Sequence, residues 1–155
     1  MAIARGAGTE IIRTSMFKGV NNTVQNLIVG EQHHIYTVLS VIFRCTARSG
    51  TEKGYFSLFG YDSKGGTTAQ YIHLAQVTCA NGDTFVWNDK FSFMGYEPVD
   101  TTANIDTIAK QNAIADQGNT GTFPTGSQKL YFYTDSANTT YEVTCTFIDQ
   151  NNANA

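Results

Sequence analysis

Charge, proline and cysteine are all scarce in this sequence. Only 15% of its 155 residues are charged and two are proline, whereas about a quarter of an ordinary soluble domain is charged. The ten lysines and arginines are scattered and the net charge is −3, which disfavours a surface that binds nucleic acid through phosphates. No run of about 18 apolar residues is present, so we predict no membrane contact. The stretch MAIARGAGTEIIRTS has no apolar centre, so we predict no signal peptide.

The three cysteines, Cys45, Cys79 and Cys145, are far apart and form no CxxC pair. An odd number of cysteines without a secretion signal predicts free thiols made in a reducing cytosol. Cys45 and Cys145 fall on apolar strand faces and are expected to be buried, while Cys79 lies near a turn and is expected to be exposed. No histidine is visibly placed to activate any of them, so we do not predict cysteine catalysis.

The three histidines do not form a recognisable metal site. His33 and His34 are adjacent, and adjacent strand residues point to opposite faces, so they cannot easily bind one ion. His73 lies in another predicted strand, and cross-strand pairing could bring two of the three together. Glycine-rich phosphate loops and nucleophile elbows are also missing. We therefore predict no enzyme, no metal and no cofactor.

The residues that are abundant predict strands. The chain has 21 threonines, eight tyrosines and ten phenylalanines, which fit pleated, half-buried surfaces. Apolar stretches separated by turn signals, such as Asn81-Gly82, predict about eight strands at 9–17, 24–30, 33–47, 55–62, 68–79, 83–97, 128–135 and 139–149, where the 83–97 stretch forms one or two strands. We predict an all-β fold, a single antiparallel β-sandwich of the jelly-roll type. In the 33–47 strand the odd positions, Ile35 to Cys45, are assigned to the core.

The length predicts one domain with irregular additions. Residues 1–8 are predicted to form a flexible arm, 9–149 the sandwich, and 150–155 a frayed tail. Residues 97–127 are polar and lose the two-residue period, so they form a long excursion in which Ile105, Ile108 and Ala109 could face one side of a short helix. Trp87 and the tyrosines could stack on sugars, as in lectins, or belong to the core and to contacts between subunits, with the core favoured for most of them.

Three stretches together resemble a known group of proteins. They are HHIYTVLS (33–40), LAQVTCANGDTFVWNDKFSF (74–93) and VTCTFID (143–149), and the pattern covers roughly half of the chain. It is similar to small β-sandwich virion proteins of tailed bacteriophages, marine phages in particular. The resemblance implies a structural role without catalytic residues. The 97–127 excursion departs from the shorter form of the pattern.

The resemblance implies a capsid decoration protein on the virion head, made in the host cytoplasm. Its expected partners are the major capsid protein and copies of itself, with a trimer as the first expectation. We predict that the N-terminal region contacts the capsid or a neighbouring subunit through Ile3, Arg5, Ile11, Ile12 and Arg13; the alternative for these residues is an ordinary edge strand. Two other functions stay open, namely a receptor-binding module of the tail or fibre that uses the 98–127 loop, and a carbohydrate-active hydrolase, for which no acid/base pair is visible.

Overall fold

The computed structural model describes residues 8–31, 34–62, 67–95 and 128–151, and these residues form nine strands and no helix. The strands are β1 (Thr9–Val20), β2 (Gln25–Val29), β3 (His34–Ala47), β4 (Gly54–Asp62), β5 (Thr67–Val77), β6 (Thr84–Trp87), β7 (Phe91–Met94), β8 (Lys129–Thr134) and β9 (Thr140–Asn151). The 83–97 stretch, predicted as one or two strands, forms two, β6 and β7. Within the described ranges there is consequently no helix with the length and hydropathy to cross a membrane.

The strands form two antiparallel sheets with nested pairing. The first sheet has the order β1-β9-β3-β6, with β7 also paired to β3, and the second sheet has the order β2-β8-β4-β5. If β6 and β7 are counted as one interrupted strand, the first strand pairs with the last, the second with the second last, and so on inward to β4 and β5. This is the pairing of a jelly roll, and it confirms the predicted all-β sandwich.

The core between the two sheets is dominated by aromatic rings. The ring of Phe43 in β3 lies 4.8 Å from that of Phe132 in β8 and 5.3 Å from that of Phe56 in β4. Tyr141 packs against Phe132 at 5.2 Å, and its hydroxyl donates to the Val77 carbonyl at 3.5 Å. None of these five residues is exposed. Each large side chain buried in this way contributes roughly 1.5–3 kcal/mol, so the central strands hold the two sheets together.

The buried face of β3 changes half-way along the strand. Its buried side chains are Tyr36, Val38, Val41, Phe43 and Cys45. The prediction that the odd positions face the core is therefore confirmed from Val41 onward and wrong before it, since Ile35 is exposed. The pairing of β3 with β9 shifts register between Val38 and Ser40. Leu39 is thus the extra residue of a β-bulge, which exchanges the two faces of the strand.

A backbone contact that requires glycine joins the two sheets. A Cβ on Gly30, just after β2, would overlap the carbonyl oxygen of Gly95, just after β7, and a Cβ on Gly95 would overlap the carbonyl oxygen of Glu31. Gln128 completes the contact, since its carbonyl accepts from Gly30 N–H at 2.8 Å and its N–H donates to Gly95 at 2.7 Å. Because β2 and β7 belong to different sheets, this contact links the sheets at one end of the sandwich.

Several predictions fall on residues outside the described ranges. They are the arm up to residue 7, His33, the 97–127 excursion with Ile105, Ile108 and Ala109, and the tail beyond Asn151.

The predicted frayed tail begins two residues too early, because β9 continues through Gln150 and Asn151, which pair with Glu10 and Thr9 of β1. The two strands that are most distant in sequence are therefore paired from Thr9 to Val20, with one irregularity between Phe17 and Val20.

Candidate functional site

The structure places the two described histidines on different sheets. His34 begins β3 in the first sheet, and its side chain is 13% exposed. His73 lies in β5 of the second sheet, opposite Ser57 of β4. The possible pairing of histidines across strands is therefore not found for these two, and His33 lies outside the described residues. The described part of the chain also contains no group of three His, Cys, Asp or Glu side chains suited to a metal ion.

A buried carboxylate, Asp149, connects three strands of the first sheet. Its Oδ2 lies 2.8 Å from Nε of Arg13 in β1, and its Oδ1 lies 2.6 Å from Nδ1 of His34 in β3. The other ring nitrogen of His34, Nε2, lies 3.4 Å from Oε2 of Glu31, whose N–H donates to the Tyr36 hydroxyl at 3.0 Å. Both ring nitrogens of His34 thus face carboxylates, and the contacts of Asp149 tie β9 to β1 and to β3.

The three cysteines are all buried free thiols. This confirms the expectation for Cys45 and Cys145 and corrects it for Cys79, which is only 8% exposed. Cys79 follows the buried Val77 by two residues and so points to the same inner side. Burial raises the pKa of Cys145 to about 12 and also raises that of Cys79. A nucleophilic thiolate is therefore disfavoured, and these thiols act as small apolar side chains.

The residues predicted to contact the capsid divide between the two faces of β1. Ile12 lies on the outer face of the first sheet and is 70% exposed. Ile11 is half-buried on the other face, opposite Asp149, and Arg13 on that same face forms the ion pair with Asp149. Ile3 and Arg5 lie outside the described residues. Of the described three, Ile12 is the one whose side chain stands exposed on the outer face.

The outer face of the first sheet presents an uncharged surface that we call the docking face. Its three rows across the strands are Met16, Thr144, Ile42 and Val86; Thr14, Thr146 and Ser40; and Ile12, Ile148, Thr37 and Ser92. Met16 is 75% exposed, Val86 49% and Ile42 40%. Large apolar side chains at such exposure, grouped on one face, mark interaction sites. No side chain in the three rows carries a charge.

Charged residues border this face at both ends. Arg44 and Glu142 form the next row beyond Ile42, with Nη1 3.5 Å from Oε2. At the opposite end Glu10 lies in the row of the exposed Ile35. The face thus has hydroxyl side chains in its middle row, large apolar side chains in the rows on either side, and charged residues at its rim, and a polar rim is common at protein–protein interfaces.

The outer face of the second sheet is aromatic in character. Tyr55 of β4 lies opposite Tyr133 of β8, with ring centroids 5.2 Å apart. The imidazole of His73 lies 4.7 Å from the Tyr55 ring and 6.1 Å from the Tyr133 ring. Tyr131 stacks on Tyr133 at 6.1 Å. We call Tyr55, His73 and Tyr133 the aromatic cluster.

Sequence reasoning assigned most aromatic residues to the core, and this is correct for phenylalanine more than for tyrosine. Tyr36 and Tyr141 belong to the core, but four described tyrosines (55, 71, 131 and 133) lie on strand positions that face away from it. Trp87 takes the opposite orientation. It packs on Phe56 at 5.4 Å, and its Nε1 donates to the Asp89 carbonyl. If an aromatic ring of this protein stacks on a sugar, as considered above for Trp87, that ring would therefore belong to a tyrosine.

Comparison with known proteins gives only weak similarities. No family model matches the chain, and no curated protein matches it. A chain from Bacillus endospore appendages, which form disulfide-linked pili, superposes with a TM-score of 0.43 and 12% identity over 99% of this chain and 97% of that one. A chain from the T13 IBDV viral particle superposes with a TM-score of 0.39 and 11% identity over 99% of this chain and 38% of that one. Both similarities are too low to assign a function.

Proposed function

We propose that this protein is a non-enzymatic structural component of a tailed-phage virion that binds the head surface as a capsid decoration protein. The observation that carries the proposal is the docking face, where Ile12, Met16 and Ile42 stand on an uncharged sheet surface. The resemblance of three stretches to phage virion proteins supports the same role. The proposed partners are the major capsid protein and two further copies of this chain.

The size of the docking face fits repeated attachment to a lattice. With strands about 4.8 Å apart and about 3.3 Å per residue, a four-strand face of this length offers several hundred Å². Stable interfaces bury about 800 Å² per partner, so the face alone is small for tight binding by one copy. A trimer would present three such faces, and linked binding events increase the overall affinity strongly.

The chemistry of the docking face favours a protein as the partner. Its rows contain threonine, serine, isoleucine, valine and methionine, and methionine adapts its shape to irregular apolar surfaces. Phosphate-rich partners would require lysine and arginine, which this face lacks at its centre. The buried thiols and the fully engaged His34 support a role without catalysis.

Binding to heads that lack the protein tests the proposal. Purified protein carrying Ile12→Ser, Met16→Ser and Ile42→Ser is mixed with such heads, and the bound copies are counted in electron micrographs. We expect at least a tenfold loss of occupancy. The matched control carries Val24→Ser and Ile72→Ser, two residues of similar exposure (53% and 56%) outside the docking face. Equal occupancy for the two variants would refute docking through this face.

A receptor-binding module of the tail or fibre is the second candidate, and the aromatic cluster on the outer surface of the second sheet, with His73 exposed and Tyr55 and Tyr133 half-buried, is the observation that favours it. Labelling the protein in intact particles separates the two functions, because a decoration protein covers the head regularly whereas a receptor-binding protein labels the tail. A variant without residues 1–7 leaves β1 intact, since β1 begins at Thr9. It therefore tests the N-terminal arm separately from the docking face.

A further inference from the structure

The aromatic cluster lies on the side of the sandwich away from the docking face. The docking face is the outer surface of the first sheet, and Tyr55, His73 and Tyr133 stand on the outer surface of the second. In a two-layer sandwich these surfaces point in opposite directions. In the cluster His73 is exposed and Tyr55 and Tyr133 are half-buried, whereas Ser57 and Tyr131 on the same outer surface are buried. A protein attached through the first sheet therefore leaves the exposed edge of the cluster accessible to a second ligand.

A hydrogen bond and ring contacts hold the cluster in place. The Oγ of Ser57, which is completely buried, lies 2.6 Å from Nδ1 of His73. The Asp135 carboxylate accepts from the Lys53 N–H at 3.1 Å, and burial together with this carboxylate raises the pKa of the Tyr55 hydroxyl. Groups that are already fixed lose little conformational entropy when a ligand binds.

The polar groups around the rings define the chemistry of the ligand. Tyrosine rings supply apolar contact area with a hydroxyl at the rim. Asp135 supplies a carboxylate, and the exposed Gln76, which lies opposite Tyr55 on β5, supplies an amide. A ligand complementary to this surface has an apolar C–H face for the rings and hydroxyl groups at its edge for the carboxylate and amide. Pyranose sugars have this combination.

We propose that the aromatic cluster, with Asp135 and Gln76 at its rim, is a binding site for neutral saccharides. The site is shallow, because the ring centroids lie only 4.7 to 6.1 Å apart and the rings contact one another. A sugar lies across the rings and does not insert between them. The site does not depend on capsid docking, since it uses the other sheet.

Titration of the purified protein with cellotriose, maltotriose, chitotriose and galactobiose, followed by tyrosine ring signals in NMR spectra, tests the site. At least one of the four is expected to bind, with a dissociation constant below about 10 mM. Tyr55→Ala and Tyr133→Ala should weaken that binding at least tenfold. Asp135→Asn should weaken it several-fold, and Ile42→Ser on the docking face should leave it unchanged.

Three results would overturn the proposal. The first is that none of the four saccharides shifts the tyrosine signals up to about 10 mM. The second is binding that persists unchanged in Tyr55→Ala and in Tyr133→Ala. The third is that host cells bind the protein equally well after periodate has destroyed their surface sugars, which would assign the cluster to a protein partner. Tyr55→Phe and His73→Gln preserve the ring or the polarity, and they replace the alanine variants if those fail to fold.

Discussion

The carboxylate of Asp149 lies 2.6 Å from the imidazole of His34, although the two residues are 115 positions apart in the chain. An ionised carboxylate has only acceptors, so Nδ1–H of His34 is the donor. Since Asp149 is 3% exposed, the interaction takes place largely away from water. It fixes β9 against β3, while Arg13 fixes the same carboxylate to β1.

Replacing Asp149 with asparagine should lower the free energy of unfolding by about 1–3 kcal/mol, because a buried charged partner of two hydrogen bonds is lost. Urea denaturation of the purified protein measures the change. The control is Glu142→Gln, which removes the exposed ion pair with Arg44 and should cost less than about 0.5 kcal/mol. If Asp149→Asn and Glu142→Gln lowered the free energy of unfolding equally, the buried contacts of Asp149 would contribute no more to stability than an exposed ion pair.

Stability should fall as the pH rises above about 9. Burial raises the pKa of Cys145 from 9.0 to about 12 and that of Tyr141 from 10.0 to about 12, whereas the unfolded chain ionises both groups at their ordinary values. At a pH between the ordinary pKa of each group and its raised pKa in the folded protein, the folded state holds more protons than the unfolded state. The free energy of unfolding therefore decreases as the pH rises through this range. The loss is at most about 1.4 kcal/mol per pH unit for each group.

Thermal unfolding measured from pH 7 to pH 11 reveals this loss. In Cys145→Ala the melting temperature should be lower at pH 7, because a cavity replaces the thiol, but its decline between pH 9 and pH 11 should be shallower. If the melting temperature of Cys145→Ala declined between pH 9 and pH 11 as steeply as that of the unmodified protein, ionisation of Cys145 would not be a cause of the loss of stability.

Gly54→Ala should destabilise the protein by about 1–3 kcal/mol through overpacking. A Cβ at this position of β4 would overlap the ring of Phe132, one of the central aromatics of the core. Gly60 in the same strand is the matched control, since a Cβ there meets nothing within 4 Å. Gly60→Ala should be neutral, or stabilising by about 0.4–1 kcal/mol through the unfolded chain. Chemical denaturation of Gly54→Ala and Gly60→Ala measures the change that each causes in the free energy of unfolding.

Gly95→Ala should have a larger effect than Gly54→Ala. Its Cβ would meet the backbone of Glu31, which cannot rotate away as a side chain can. The hydrogen bonds from Gly30 N–H to Gln128, from Gln128 N–H to Gly95 and from Gly95 N–H to His34 should open together, so amide exchange should accelerate at Gly30, Gly95 and Gln128 first. Unchanged exchange at these three amides would show that the contact between the sheets is dispensable.

The strands of this fold were predictable because their cause is local. Alternating apolar side chains and turn signals such as Asn81-Gly82 marked them, and Gly82 does adopt a positive φ of 85°. The β-bulge at Leu39 could not be predicted. Apolar residues precede it (Tyr36 and Val38) and follow it (Val41), so the sequence does not show where the buried face of the strand changes. The partner of each strand is set by contacts over long sequence distances, which no local pattern contains.

The candidate surfaces were predictable only in part. Alternation through Tyr141 and Phe147 places Asp149 on the inner face, so its burial could have been anticipated, but its contacts with His34 and Arg13 depend on strand order. Ile12 was predicted as a contact residue and is exposed on the docking face. Thr14 and Met16 share β1 with Ile12, but the other residues of that face come from β3, β6, β7 and β9 and become its neighbours only through the jelly-roll pairing.

The nested pairing also sets the time at which the chain can fold during synthesis. β1 ends at Val20 and its partner β9 begins at Thr140, so the ribosome adds about 120 residues between them. At about 5–20 residues per second, β1 waits roughly 6 to 24 s for its partner. During that interval an apolar strand edge is open to other chains, and folds dominated by such distant pairings form slowly. A chaperone that covers this strand edge should therefore raise the yield of folded protein more than the small size of the chain would indicate.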